Sequence, residues 1–272
     1  MAHTSDEGQL LDEELLRYAR QILLDGWDID AQLRLKSARV VMIGAGGLGC
    51  PASETLVRAG LGHIHLIDDD VIEASNLQRQ TLFLPEDIGK PKALTAAHML
   101  ERINPLITAS GTVARLSEDN AYELLDMATG KPDLLLDCTD NFATRDVINR
   151  ISVHYKIPLL SASAIAMQGQ LALFEPQLNT GCYHCVFGSV VLDAAADERT
   201  CANSGVLAST TAIMGNLQAN AALQYLGLTK NPLTNKLLIW DGSQMQQRLM
   251  AIAKMPRVLS VVVTSYCLLV AV

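Results

Sequence analysis

The segment Gly44-Ala-Gly46-Gly47-Leu-Gly49 constrains this chain more than any other. It follows the compact apolar run Arg39-Val-Val-Met-Ile43 and opens residues 47–59, which read as a helix. Glycines at such a strand-to-helix turn permit a close backbone approach, so that amides at the helix start can face a phosphate. The next predicted strand, His63-Ile-His-Leu-Ile-Asp68, ends in an acid 19 residues beyond Gly49. A dinucleotide fold places a carboxylate there, against ribose hydroxyls. A turn that only packs a helix tightly on a strand would look the same. The strand, the helix and Asp68 together point to nucleotide binding.

The pattern around this segment predicts an α/β fold, Rossmann-like and doubly wound, with a mostly parallel sheet. Helices are expected over 10–24 and 29–35 ahead of the first strand. Beyond Asp68, helices are predicted over 92–103, 120–128 and 144–155, alternating with extended runs at 107–113, 133–137 and 158–162. Such alternation implies a parallel sheet covered on both faces. After Ser163 the signal changes. Gln170–Phe174 is a strand with no crossover helix beside it, residues 182–201 read as loop, and 209–226 as a buried helix. Strands over 236–241 and 246–251 complete an antiparallel C-terminal extension. One domain over 1–257 is the simplest division, followed by an atypical apolar tail over 258–272.

Composition excludes several classes. With 49% hydrophobic and 18% charged residues, the chain is not a disordered one, and 272 residues suffice for a sizeable core. A net charge of −8 without a basic tract argues against a nucleic-acid partner. No run reaches the roughly 20 apolar residues that span a bilayer, so no membrane partner is expected. The start, MAHTSDEGQLLDEELL, has neither the basic nor the apolar region of a secretory signal. Six cysteines in such a chain read as thiols or metal ligands, and the cytoplasm is the expected compartment.

Two further segments choose the chemistry. Ser75-Asn76-Leu77-Gln78-Arg79-Gln80 and Lys92 supply cations near the acid-rich Asp68-Asp69-Asp70. A hydride-transferring dehydrogenase has no need of two cations at a phosphate site. Nucleotidyl transfer does, because negative charge builds on the phosphoryl oxygens and the leaving pyrophosphate. For either cation taken alone, Arg79 or Lys92, a solvated surface charge is the more ordinary reading. Asp137-Cys-Thr-Asp140-Asn141 ends an apolar strand, where an acid faces the ligand crevice. Asp140 could hold Mg²⁺ or cap the following helix, and Asp137 is the more buried of the two acids.

These motifs, with Arg17-Tyr-Ala-Arg20-Gln21, Cys182-Tyr-His-Cys185 and Thr200-Cys201, resemble the ubiquitin-activating-enzyme-like (HesA/MoeB/ThiF) family. The likeness runs from about Leu15 to Arg248 and is nearest to bacterial sulfur-carrier adenylyltransferases. It implies ATP and Mg²⁺ as reactants and a ubiquitin-like sulfur carrier ending in Gly-Gly as partner. It also implies a homodimer and a sulfur donor such as a cysteine desulfurase or rhodanese. Nucleotide contacts are implied for Gly44, Gly46, Gly47, Gly49, Asp68, Asp70, Ser75, Asn76, Leu77, Gln78, Arg79, Lys92, Asp140 and Asn141. Asp140 would carry Mg²⁺, and Arg20 would reach the phosphates of the neighbouring subunit. Cys201, beside Arg199, is a candidate for sulfur transfer, with an inert loop thiol as the alternative. A transfer-RNA threonylcarbamoyladenosine dehydratase of the same superfamily is the competing activity.

The chain departs from the family in one respect. Cys182-x-x-Cys185 is half of a structural zinc site, and the second pair expected after Arg257 is missing. Two thiolates fall short of the four ligands structural zinc takes, with Cys201 and Cys267 as the other candidates. Residues 258–272 carry no charge and are strand-prone. An altered end, with the ATP site intact upstream, is the plainer reading of this tail than a membrane- or partner-binding one. The carrier stays open. Gln21–Asp25 and Asp68–Asp70 look like the thiamine type, and Met167-Gln-Gly169 like the molybdopterin type.

Overall fold

A strand whose successive side chains are all apolar must be covered on both faces. In β1 (Arg39–Ile43), Val40 and Met42 enter one core while Val41 and Ile43 enter another. The structure, a computed structural model, describes residues 8–178, 180–193 and 205–254. The other strands are β2 (His63–Ile67), β3 (Thr108–Thr112), β4 (Leu134–Asp137), β5 (Leu159–Ile165), β6 (Gln168–Phe174), β7 (Lys236–Asp241) and β8 (Gln246–Ala251). They form one sheet in the order β3-β2-β1-β4-β5-β6-β7-β8. The first five pair in parallel and β5 to β8 antiparallel.

Helices α2 (Ile29–Ser37), α3 (Gly49–Ala59), α4 (Lys92–Ile103) and α8 (Ala208–Leu228) contribute to the first core. Helices α5 (Ala121–Leu124), α6 (Phe142–Tyr155) and α7 (Tyr183–Asp193) contribute to the second. Helix α1 (Asp12–Ile22) precedes them. The chain winds from β1 to β2 and β3, then returns to β4 on the other side of β1. Strand order therefore reverses between β1 and β4, and a crevice opens at their C-terminal ends. No described helix is long and apolar enough to cross a membrane.

Three expectations are corrected. Residues 182–201 are not loop throughout, since α7 occupies Tyr183–Asp193. Its Gly188 and β-branched valines are poor helix formers, so propensity hid it. Packing holds it instead: Tyr183 is buried edge-on to Phe174, and its N–H donates to Asn149 Oδ1 at 3.0 Å. The helix expected over 120–128 is a single turn, because Asp126 turns left-handed at φ 49°. The helix expected from Thr144 begins at Phe142 and is capped by Asn141, whose Oδ1 accepts the Thr144 N–H at 2.8 Å. Asp140 is therefore free of the capping role. Cys201, Cys267 and the 258–272 tail lie outside the described residues.

Candidate nucleotide site

The glycines that open α3 divide their work. Gly44 sits at φ 95°, and a Cβ there would stand 2.9 Å from the Cys138 carbonyl oxygen. The turn thus presses against the end of β4. Gly47 fronts the crevice, with the Arg79 side chain and the Thr211 methyl each 3.2 Å from where its Cβ would be. Gly49 faces inward. A Cβ there would come within 2.2 Å of the Gly44 carbonyl oxygen, so its role is to seat α3 on β1. Gly49→Ala is expected to cost about 1–3 kcal/mol of stability through overpacking. Urea unfolding reads this directly, and an unchanged midpoint would refute the packing role.

Around this turn lies a cavity of about 640 Å³, a volume suited to a nucleotide. Asp68 holds the turn itself. Its Oδ2 accepts the Ala45 N–H at 2.7 Å and its Oδ1 the Asp70 N–H at 2.8 Å. Burial raises its pKa above the ordinary carboxylate value, and these two amides only partly offset that. Lys92, at the first turn of α4, is buried with its Nζ 2.8 Å from Asp70 Oδ2, while Asp70 is exposed. Arg79 lines the cavity and donates to the Ser75 carbonyl at 3.1 Å. Neither cation is a simple solvated surface charge.

The two acids at the end of β4, Asp137 in the strand and Asp140 beyond it, have separated. Asp137 is 1% exposed and its oxygens are taken up internally. They accept from the Thr139 N–H, the Thr139 hydroxyl and the Ser161 hydroxyl at 3.0, 2.7 and 2.6 Å. The buried Arg145 guanidinium lies 3.7 Å away and donates to the Thr139 and Ala162 carbonyls. Gln218 of α8 donates to the Asp137 and Leu160 carbonyls at 3.0 and 2.9 Å. This network holds the loop that presents Asp140 to the cavity. Asp140 itself is exposed, and its carboxylate accepts no hydrogen bond among the described residues. Such an oxygen donor on the wall of the cavity fits Mg²⁺.

Of the residues expected at the site, the cavity gathers Gly44, Gly46, Gly47, Asp68, Asp70, Ser75, Asn76, Arg79, Lys92, Asp140 and Asn141. Gly49, Leu77, Gln78 and Arg20 are not among its lining. Gly49 packs, Leu77 joins the core, and Gln78 and Arg20 are exposed. Sequence reasoning missed Ala114, Arg115 and Leu116, which continue β3 into the same crevice; the end of a parallel strand could have signalled them. Arg115 Nε pairs with Asp69 Oδ2 at 3.0 Å. It also missed Ala164, Val206 and Thr211, for which no local signal exists. Away from the cavity, the Cys182 and Cys185 sulfurs lie 3.6 Å apart, two of the four ligands a structural zinc takes. Cys50 and Cys138 are buried, and burial pushes both thiols up, Cys50 to about 12, so neither is a nucleophile.

Comparison with known proteins agrees with this geometry. The sequence pattern of the ThiF family matches residues 18–259. The chain is 40% identical over 251 residues to the molybdopterin-synthase adenylyltransferase of Salmonella typhimurium, covering 91% of this chain and 96% of that one. It is 40% identical over 243 residues to the sulfur carrier protein ThiS adenylyltransferase of Escherichia coli, covering 89% and 93%. Among solved structures it is similar to E. coli MccB with ATP, at a TM-score of 0.70 and 26% identity, over 83% of this chain and 67% of that one.

Proposed function

The chain belongs to the ThiF family, and from that premise we propose that it is an ATP-dependent adenylyltransferase acting on a ubiquitin-like sulfur carrier. The observation that carries the reading is the pairing of Lys92 with Asp70. A buried ammonium held by one exposed carboxylate at the mouth of a glycine-lined cavity is a cation kept for a polyanion. The substrate carboxylate is a poor electrophile until a leaving group is attached. One of its oxygens attacks the α-phosphorus of ATP, the bond to the bridging oxygen breaks, and pyrophosphate leaves with that electron pair. The carboxylate is already ionised, so no general base is needed.

Catalysis then consists of positioning and charge stabilisation. Asp68 is poised for ribose hydroxyls, and the Gly46–Gly47 turn leaves room for phosphates. Arg79 and Lys92 offset the charge that develops on the phosphoryl oxygens. Asp140 would hold Mg²⁺, which would neutralise phosphate charge. The acyl-adenylate product is the activated form that a sulfur donor attacks. ATP–pyrophosphate exchange with each purified carrier in turn tests this. Exchange that depends on a carrier ending in Gly-Gly supports the reading, and the better carrier assigns the pathway. Folded protein that exchanges with neither overturns it.

Arg20 takes part from a second copy in this reading. It is exposed on α1, away from the cavity of its own chain, beside the exposed Leu16 and Leu23. Arg20→Ala and Lys92→Met homodimers should each be inactive. In a mixed dimer, one site keeps both native residues, so mixing the variants should restore about a quarter of wild-type sites by symmetric pairing. No restoration would place Arg20 in its own chain's site or outside catalysis. The chain would act in the cytoplasm, where its own free thiols stay reduced.

A further inference from the structure

Arg145 Nε and the Tyr183 hydroxyl are both buried without a hydrogen-bond partner among the described residues. Both residues line one small cavity where α6 and α7 meet β5 and β6, together with Ser161, Ser163 and Gln170. Its volume is about 10 Å³, room for one water and nothing larger. Arg145 lies close enough to the phenol to influence its ionisation, yet neither Nε nor the hydroxyl has a partner in hydrogen-bonding geometry. Nε stands 3.7 Å from Asp137 Oδ2, too long for a hydrogen bond. A buried donor left unpaired is costly, and native proteins rarely leave two side by side. Burial raises the Tyr183 phenol above its ordinary pKa, so it keeps its proton and can donate.

We infer that one buried water joins Arg145 Nε to the Tyr183 hydroxyl, and that through it Tyr183 is a positioning residue for the loop that carries Asp140. The water accepts the Nε–H and the phenol proton. Its own two protons are left for side-chain oxygens of the same wall, which Ser161, Ser163 and Gln170 supply. The chain of contacts then runs to the nucleotide site. Arg145 donates to the Thr139 carbonyl, one residue before Asp140. Tyr183 is fixed at its other end, edge-on to Phe174 and with its N–H on Asn149 Oδ1. The phenol thus sets where the guanidinium sits, and the guanidinium sets the carbonyl that leads to Asp140. This rests on the adenylyltransferase reading above, in which Asp140 holds Mg²⁺. It also gives the residue between Cys182 and Cys185 a role that needs no zinc.

Tyr183→Phe tests this, because it keeps the ring against Phe174 and removes only the hydroxyl. The Mg²⁺ concentration giving half-maximal ATP–pyrophosphate exchange should rise about three- to tenfold, with the KM for the carrier unchanged. The melting temperature should fall by only about 2–4 °C. Arg145→Lys keeps the charge beside Asp137 but lacks Nε. In that background, Tyr183→Phe should raise the Mg²⁺ requirement no further, the non-additivity expected of two groups sharing one water. A high-resolution crystal structure of the full chain should show a single water within about 3.2 Å of both Arg145 Nε and the Tyr183 oxygen. A direct bond between the two residues with no water would overturn the inference. So would an unchanged Mg²⁺ requirement in Tyr183→Phe, or a further rise in the Arg145→Lys background. Wild type that exchanges with no native carrier would instead overturn the parent reading, and the crystallographic water would still decide the cavity.

Discussion

Lys92→Met is expected to lower carrier-dependent ATP–pyrophosphate exchange about 100–1,000-fold while leaving the fold intact. The size follows from removing one preorganised charge from a water-poor site where phosphoryl oxygens gain negative charge. The intact fold follows from the geometry. Lys92 is 7% exposed, so its stem already lies among packed atoms, and methionine occupies nearly the same volume. The partner left behind, Asp70, is exposed and keeps its hydration. No buried charge is stranded, and stability should change by less than about 1 kcal/mol. Exchange measured beside a urea unfolding curve separates the two effects. Activity within tenfold of wild type would remove Lys92 from the phosphate site. Lost activity with a collapsed unfolding midpoint would make its role structural.

Arg145→Met should show the opposite signature, a large loss of stability with loss of activity behind it. Arg145 and Asp137 are 8% and 1% exposed, and neither can recover full hydration when the other goes. Stranding the Asp137 carboxylate is expected to cost about 3–5 kcal/mol. That corresponds to a fall in melting temperature of roughly 10 °C in a chain of this size. Two carbonyls, those of Thr139 and Ala162, also lose a donor. Pairing the change with Asp137→Asn should recover part of the loss, because the stranded charge is then gone. A single-variant cost below about 1 kcal/mol would mean that Thr139 and Ser161 suffice to hold Asp137. The surviving folded fraction should bind Mg²⁺–ATP more weakly, since the Asp140 loop hangs from the Thr139 carbonyl.

These contrasting roles show what the linear chain carries. Local patterns identified the strand–turn–helix around Gly44, the acid at Asp68, and the cations Arg79 and Lys92. Helix 92–103 and the strands 236–241 and 246–251 match the structure at both ends. All of these depend on periodicity and turn chemistry within one segment, which need no knowledge of neighbours. The same patterns grouped Gly49 with the nucleotide contacts and left Asp140 with two roles. Both ambiguities are spatial. Gly49 is claimed by the Gly44 carbonyl, and the cap is taken by Asn141.

What the sequence by itself determined is therefore most of the order of elements, the glycine turn and the charged residues that line the cavity beside it, because each is written in contiguous residues. Tertiary structure alone decided that α7 is a helix, since its poor propensity is overcome by contacts with Phe174 and Asn149. It alone brought Ala164, Val206 and Thr211 to the cavity, across a strand order that no local pattern encodes. It alone closed Gln80 Oε1 from solvent with no hydrogen-bond partner among the described residues. Burial and pairing are properties of an assembled neighbourhood, and residues distant in sequence meet only once the sheet has ordered its strands.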